Sequence, residues 1–375
     1  MSTVRETSEP SALHRKKAMA NGRHPQASGA ASSLELVSLE LQELTPELTN
    51  GMSAFLSRCP LSTAFHSVEW NLVLSSEFNL RPVTSLAIAS GQIVACNTFY
   101  TRRGRVGLRT SWSPPRMYEA VYGGPIFLPH SEEAALAVLK EQERVSGGHT
   151  NYVITPPGYD SDVLRTAGYS IHDAQTVILA LKRSEEDLWQ MLGPKRRNMI
   201  RRAQKEGVEV RQGLSQDVPG YHELLQRTLG RWGKTPAKLS FFLRLIEELV
   251  PVGIASFHVG VWGGKIVAGE IMLHTGSTSL YFSGASSEDG RKHAANDLLQ
   301  WNCILGAKGR GSATYDFLGI DAERLPGISM FKMGFGGTVV SYCSALKRTY
   351  LGQLVRVLSA LRNPERALKR LLASR

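Results

Sequence analysis

The pentapeptide Gly91-Gln-Ile-Val-Ala95 returns with one change as Gly264-Lys-Ile-Val-Ala268, 173 residues later in a chain of 375. The likeness extends outward, Leu86-Ala-Ile-Ala-Ser-Gly-Gln-Ile-Val-Ala95 against His258-Val-Gly-Val-Trp-Gly-Gly-Lys-Ile-Val-Ala268. In each, a run of strand formers meets a glycine-bearing turn and resumes, the pattern of an antiparallel hairpin. The flanking order repeats as well. In the first half, Leu34-Glu-Leu-Val-Ser-Leu-Glu40 alternates as a strand, and Thr45-Pro-Glu opens a helix with a cap and a first-turn proline. A second helix is expected over Val68 to Phe78, strands at Ser85–Ala89, Ile93–Cys96 and near Val106–Arg109, a helix over Glu132 to Val145, and a short strand at Asn151–Thr155. In the second half, Ser184-Glu-Glu-Asp187 has capping-box spacing. Helices near Tyr221–Leu229 and Ser240–Leu249, the second hairpin, a helix from Asn296 and the strand Thr314-Tyr-Asp-Phe-Leu318 follow. Two copies of one α+β unit are the reading that this order imposes.

Domain limits follow: 35–182 and 183–350, with a tail at 1–34 and a C-terminal piece at 351–375. The tail is rich in Ser, Ala, Gly, Arg and His, with too little apolar surface to offset chain entropy, so it is expected to be disordered.

The net charge of +11 suggests a polyanionic partner until it is located. Residues 1–34 carry +3, residues 351–375 carry +5, and the body keeps +3. A uniformly basic nucleic-acid surface is therefore not indicated. The body's cations gather in Lys195-Arg-Arg-Asn-Met-Ile-Arg-Arg-Ala-Gln-Lys205, six in eleven positions without an acid before Glu206. Gly193-Pro194 breaks what precedes it, and Gly207 offers a left-handed stop before a Val-rich strand. At about 100° per residue, Lys195, Arg197, Arg201, Arg202 and Lys205 share one side, with Met199, Ile200 and Ala203 on the other. Such a side faces solvent, phosphate or carboxylate. Cys59, Cys96, Cys303 and Cys343 show no CxxC spacing and suit buried thiols in a reduced, cytoplasmic setting. No segment reaches the ~18 apolar residues of a membrane span, and no signal sequence is evident.

Tyr122-Gly-Gly-Pro125, Lys195-Arg-Arg-Asn198 before a helix ending Lys205-Glu-Gly-Val208, Tyr315-Asp-Phe-Leu-Gly319 and Phe331-Lys-Met-Gly-Phe-Gly-Gly337 follow one another within the duplicated body. Together, over about residues 35–350, they resemble the FemAB-like family. That family comprises tandem acetyltransferase-fold (GNAT) proteins, among them peptidoglycan bridge-forming aminoacyltransferases and exopolysaccharide-associated acyltransferases. The resemblance implies two GNAT-like domains, each a mainly antiparallel sheet flanked by helices. It also implies an acyltransferase (EC 2.3 class) moving an acetyl or aminoacyl group to an amine of a cell-envelope or polysaccharide precursor. The donor would be acyl-CoA or aminoacyl-tRNA, without a metal.

In that setting Arg196, Arg197, Arg201 and Arg202 are candidates for donor or acceptor phosphates. An acyl-CoA enzyme of this fold cradles pyrophosphate in a loop of the form Arg or Gln, two residues, Gly, one residue, Gly or Ala, at a helix N-terminus. Here Gly290-Arg-Lys-His-Ala-Ala-Asn296 stands in that place. Arg291 and Lys292 supply charge, while the two small positions hold Ala294 and Asn296. The first half offers only Leu128-Pro-His-Ser-Glu-Glu133, whose acids repel phosphate. An amine attacking an ester or thioester needs its proton removed and an oxyanion stabilised. Lys332, beside Phe331, reads either as holding a phosphate or the reacting carbonyl while Phe331 packs the donor, or as a lysine on a glycine-rich surface turn. Asp316 and Asp321 orient the amine or form turns. Glu270 is a base with a raised pKa or an edge salt-bridge partner. His293 pairs with Asp297, or is solvated. Trp301 and Cys303 lie on a packed helix face. Tyr122, Gly123 and Gly124 either line an acceptor site by exposing backbone groups or make a tight turn.

Residues 351–375 read as two basic amphipathic helices, lying on an anionic inner membrane or docked on the body. The runner-up function is a catalytically silent GNAT-fold protein that binds RNA, tRNA included, or another polyanion through the basic helix.

Overall fold

The computed structural model describes residues 34–103, 108–115 and 121–354. The expected disordered tail, save Leu34, lies outside the described residues, as do Val106 and Gly107 of the expected third strand and all but the first residues of the C-terminal helices.

The first half runs β1 (Glu35–Glu40), α1 (Pro46–Arg58), α2 (Val68–Phe78), β2 (Pro82–Ala89), β3 (Gln92–Arg103), β4 (Arg109–Ser113), β5 (Ile126–Phe127), α3 (Glu132–Ser146), β6 (Thr150–Ile154), α4 (Ser161–Thr166) and β7 (Ser170–Ala180). The second half runs α5 (Glu185–Met191), α6 (Pro194–Lys205), β8 (Glu209–Gln212), α7 (Val218–Gly230), α8 (Leu239–Leu249), β9 (Ala255–Trp262), β10 (Lys265–Thr275), β11 (Thr278–Ser286), α9 (Glu288–Lys292), α10 (Ala295–Gly309), β12 (Thr314–Asp316), α11 (Pro326–Met333) and β13 (Thr338–Arg348). The caps expected from sequence are in place. Thr45 accepts from the Leu48 amide, Ser184 and Asp187 close a capping box, and Gly207 takes φ +77° behind α6.

The duplication is visible in backbone detail. Each hairpin turns on two residues of positive φ, Ser90 (+50°) with Gly91 (+75°) and Gly263 (+56°) with Gly264 (+73°), the mirror-image turn that matches strand twist. Each then carries one extra residue in its second strand, Val94 and Val267, again 173 apart.

The two halves do not keep separate sheets. One path runs β1-β2-β3-β4-β6-β13-β7-β12-β11-β10-β9-β8, with β5 pairing β3 off it. Each half thus gives its last strand to the other: β13 pairs β6 of the first half, β7 pairs β12 of the second, and β7 and β13 pair with each other. On this plan β4 runs parallel to β6, and β11 parallel to β12.

An aromatic core joins the halves. Trp70 of α2 meets Phe241 of α8 (6.2 Å between ring centroids) and Phe282 of β11 (5.4 Å). At its rim Glu77 takes Arg244 (2.6 Å) and Ser240 (2.7 Å). A second core lies beneath α6 and α10, where Trp301 packs edge-on to Trp189. All four cysteines are buried free thiols.

Candidate active site at the parting of β11 and β12

Parallel β11 and β12 are in register only from Thr278/Thr314 to Leu280/Asp316. Beyond that β11 continues to Ser286, while the other chain turns away at Leu318, whose φ of +53° is unusual for a leucine. The corresponding parting in the first half is filled by its own chain. The Gly123 amide donates to Ile154 O (2.8 Å) and the Gly124 amide to Ser113 Oγ (2.8 Å), which pins residues 123–124 between the ends of β4 and β6. In the second half, side chains with chemistry gather at the parting instead.

Lys332 is the first of them. It lies on α11, not on a surface turn, and is 8% exposed. Its Nζ donates to Leu318 O (2.6 Å) and Gly319 O (2.8 Å) and stands 5.7 Å from the Tyr281 ring centre. An ammonium has three N–H donors, so one remains beyond these two carbonyls. Burial drives its pKa down to about 8, against the opposing pull of Asp316.

Asp316 is 2% exposed. Its Oδ1 accepts from Thr176 Oγ1 (2.5 Å) and the Leu318 amide (2.8 Å), and its Oδ2 from Tyr122 (2.9 Å). Burial raises its pKa, while these donors and Lys332 oppose the rise. Asp321 is a turn former, accepting from the Arg324 amide.

Glu270 lies on β10, near enough to Tyr281 for its charge to raise that hydroxyl's pKa. It is 3% exposed and has no salt-bridge partner among the described residues, so the edge ion pair is not what forms. Gln300 (2.9 Å) and Tyr315 (3.1 Å) donate to its Oε1, and burial lifts its pKa to about 8.

The basic helix is largely engaged with protein. Arg196 forms a part-buried ion pair with Asp297 in the first turn of α10 and lies over the rings of Phe331 (4.9 Å) and Phe335 (5.9 Å). Burial raises the Asp297 pKa even so. Arg197 donates to Gln190 O and Leu192 O, closing the end of α5. Arg196 is thus committed to Asp297 with Phe331 packed on it, whereas Arg197 spends only its NH1 on these carbonyls and is half-exposed. Arg201, exposed over Trp189, and Arg202, paired with Glu206 at 2.7 Å, keep their outer faces in solvent.

Arg291 and Lys292 close α9 and are exposed just before α10. Ala294 takes φ +53°, the conformation that glycine adopts at less cost. His293 pairs with Glu206 (2.6 Å) and stacks on Trp262 (3.9 Å), rather than meeting Asp297.

The Tyr122-Gly-Gly segment does not expose its backbone to an acceptor. Tyr122 is fully buried, and a Cβ on Gly123 would overlap the Pro114 backbone. Sequence reasoning missed Thr176, Tyr281, Gln300, Tyr315 and Asp297's true partner. Only Tyr315, adjacent to Asp316 in a quoted motif, carried a signal. Two surface depressions lie elsewhere, along α3 and between α2 and α8. Among the described residues no three His, Cys, Asp or Glu side chains gather as a metal site, and no helix is long and apolar enough to cross a membrane.

Residues 194–331 match a family model described as an acetyltransferase (GNAT) domain, which ends one residue short of Lys332. The sequence matches no curated protein. FemX superposes with TM-score 0.67 at 14% identity, over 82% of this chain and 96% of that one. The C-terminal domain of a putative lysylphosphatidylglycerol synthetase from Agrobacterium fabrum gives 0.53 at 13%, over 84% and 96%. A tandem GNAT protein from the clavulanic acid biosynthesis pathway gives 0.52 at 12%, over 84% and 98%. At these identities the likeness is one of fold.

Proposed function

We propose, from the premise that this chain is by fold a FemAB-like tandem GNAT protein, that it is an N-acyltransferase working at the parting of β11 and β12. The observation that carries this reading is a pair of buried groups that both neighbour Tyr281, Lys332 at 5.7 Å from its ring and Glu270 through its charge. Burial moves Glu270 up to about 8 and Lys332 down to about 8, which brings an acid and a base near neutrality in this half of the chain. Lys332 keeps a donor for the oxyanion that forms when an amine attacks an acyl carbonyl, and Glu270 is the group to take the amine's proton. The acceptor is an amine of an envelope or polysaccharide precursor. The name of one similar structure, a synthetase of lysylphosphatidylglycerol, supports an envelope acceptor.

The donor is an acyl-CoA or an aminoacyl-tRNA, with its phosphates at Arg291, Lys292, Arg201 and Arg202. Thermal unfolding with acetyl-CoA, longer acyl-CoAs, and charged or uncharged tRNA separates the donors, because a ligand of the native state raises the melting temperature by mass action. A rise with acyl-CoA assigns CoA, and a rise with aminoacyl-tRNA alone assigns tRNA. Stabilisation by charged and uncharged tRNA alike, without acyl transfer, favours the silent polyanion binder.

A further inference from the structure

Five residues from three separated segments form a single hydrogen-bonded line that crosses between the halves. Tyr122, on the segment that fills the first half's parting, donates to one oxygen of Asp316. The other oxygen of Asp316 holds the Leu318 amide at 2.8 Å. Leu318 and Gly319 then present their carbonyls to Lys332 Nζ at 2.6 and 2.8 Å. We infer that Tyr122 is a positioning residue for Lys332, acting from the other half of the chain through Asp316 and the Leu318 turn. This rests on the reading of Lys332 as the charge-stabilising group.

Two features argue that the line is directional and not a chance set of contacts. The first is the left-handed backbone of Leu318, φ +53°, which a leucine keeps only where its surroundings over-determine it. The Asp316 to Leu318 amide bond is one of those constraints, and the carboxylate that makes it is held at both oxygens, by Thr176 at Oδ1 (2.5 Å) and by Tyr122 at Oδ2 (2.9 Å). The second is how firmly Tyr122 itself is fixed. Its ring is fully buried between Phe65 (6.1 Å) and Tyr342 (5.2 Å), both edge-on, and the next residue is anchored to Ile154. The first half has closed its own parting, and the closing segment supports the other one. Tyr122 need not touch substrate.

The groups facing Lys332 are Asp316 and the Tyr281 ring, with Tyr342 beside Asp316. Loss of the Tyr122 donor favours protonated Asp316 and so weakens its hold on the ammonium. The test is an NMR titration of the full chain carrying [13Cε]lysine, without substrate. In Tyr122→Phe the Lys332 resonance moves and its midpoint falls by about half a pH unit or more. Asp316→Asn shifts it the same way, and adding Tyr122→Phe to Asp316→Asn gives nothing further. A wild-type resonance and midpoint in folded Tyr122→Phe overturns the proposal, and so does an additive double variant. Should Tyr122→Phe not fold, the wild-type protein still decides, since the Tyr122 hydroxyl proton must be protected from exchange and a fast-exchanging one overturns the line. Full turnover in Lys332→Ala would instead refute the catalytic reading and leave this titration result standing.

Discussion

Glu270 on β10 and Asn97 on β3 occupy the same position in the two halves, 173 residues apart, each held by a glutamine from a helix covering its sheet. Gln300 donates to Glu270 at 2.9 Å, and Asn97 donates to Gln142 at 2.7 Å. Their antiparallel neighbours, His258 and Ser85, are equivalent too. The fold accepts a neutral carboxamide here, so the acid in the second half is not required by packing.

Glu270→Gln is therefore expected to fold and to lose turnover by about 10²-fold or more if Glu270 takes the amine proton. Steady-state rates across pH check it.

The same variant changes the pH dependence of stability. A carboxyl whose folded pKa is about 8 against an ordinary 4.5 binds its proton more readily in the folded state. Its contribution is complete below pH ~4.5 and is lost as pH rises to about 8, by ~1.4 kcal/mol per unit at most. Denaturant titrations from pH 5 to 9 should show this fall in wild type, diminished in Glu270→Gln.

Lys332→Ala is expected to lower turnover about 10²-fold or more with a smaller change in donor affinity, as for an oxyanion contact. Equal losses in binding and none in the single-turnover rate would place Lys332 on ground-state phosphate instead.

Arg196 separates structure from ligand binding. Removing it leaves Asp297 buried and unpaired, so Arg196→Ala should cost ~3–5 kcal/mol by denaturant unfolding, and Arg196→Met with Asp297→Leu should recover most of that. Arg201→Ala should leave stability near wild type. It should also reduce the salt slope of any tRNA binding by nearly one.

The elements that can be read from sequence are those whose causes are local. Ser67, Ser184 and Thr45 mark helix starts through their own hydroxyls, and the Gly91 and Gly264 turns demand positive φ. The exchange of β7 and β13 leaves no such mark, because alternation shows which side of a strand is buried and not which strand lies beside it. The same limit hid the site's connections. Lys332 and Asp316 stand in quoted motifs, but Tyr122 and Thr176 lie 194 and 140 positions from Asp316. The charge run around Arg196 suggested a ligand, whereas folding supplies Asp297, Gln190 O and Leu192 O as its partners.

The exchanged strands also set a timetable for synthesis. Ile154 of β6 pairs with Ser344 of β13, so the first sheet lacks its neighbour until nearly the whole described chain has left the ribosome. Until then β6 is an open edge and β7 has only the three residues of β12 to pair with, the condition that invites pairing with other nascent chains. Stalled chains ending near residue 182 should be cleaved readily by protease and held by chaperones, whereas chains stalled after β13 has emerged should be resistant.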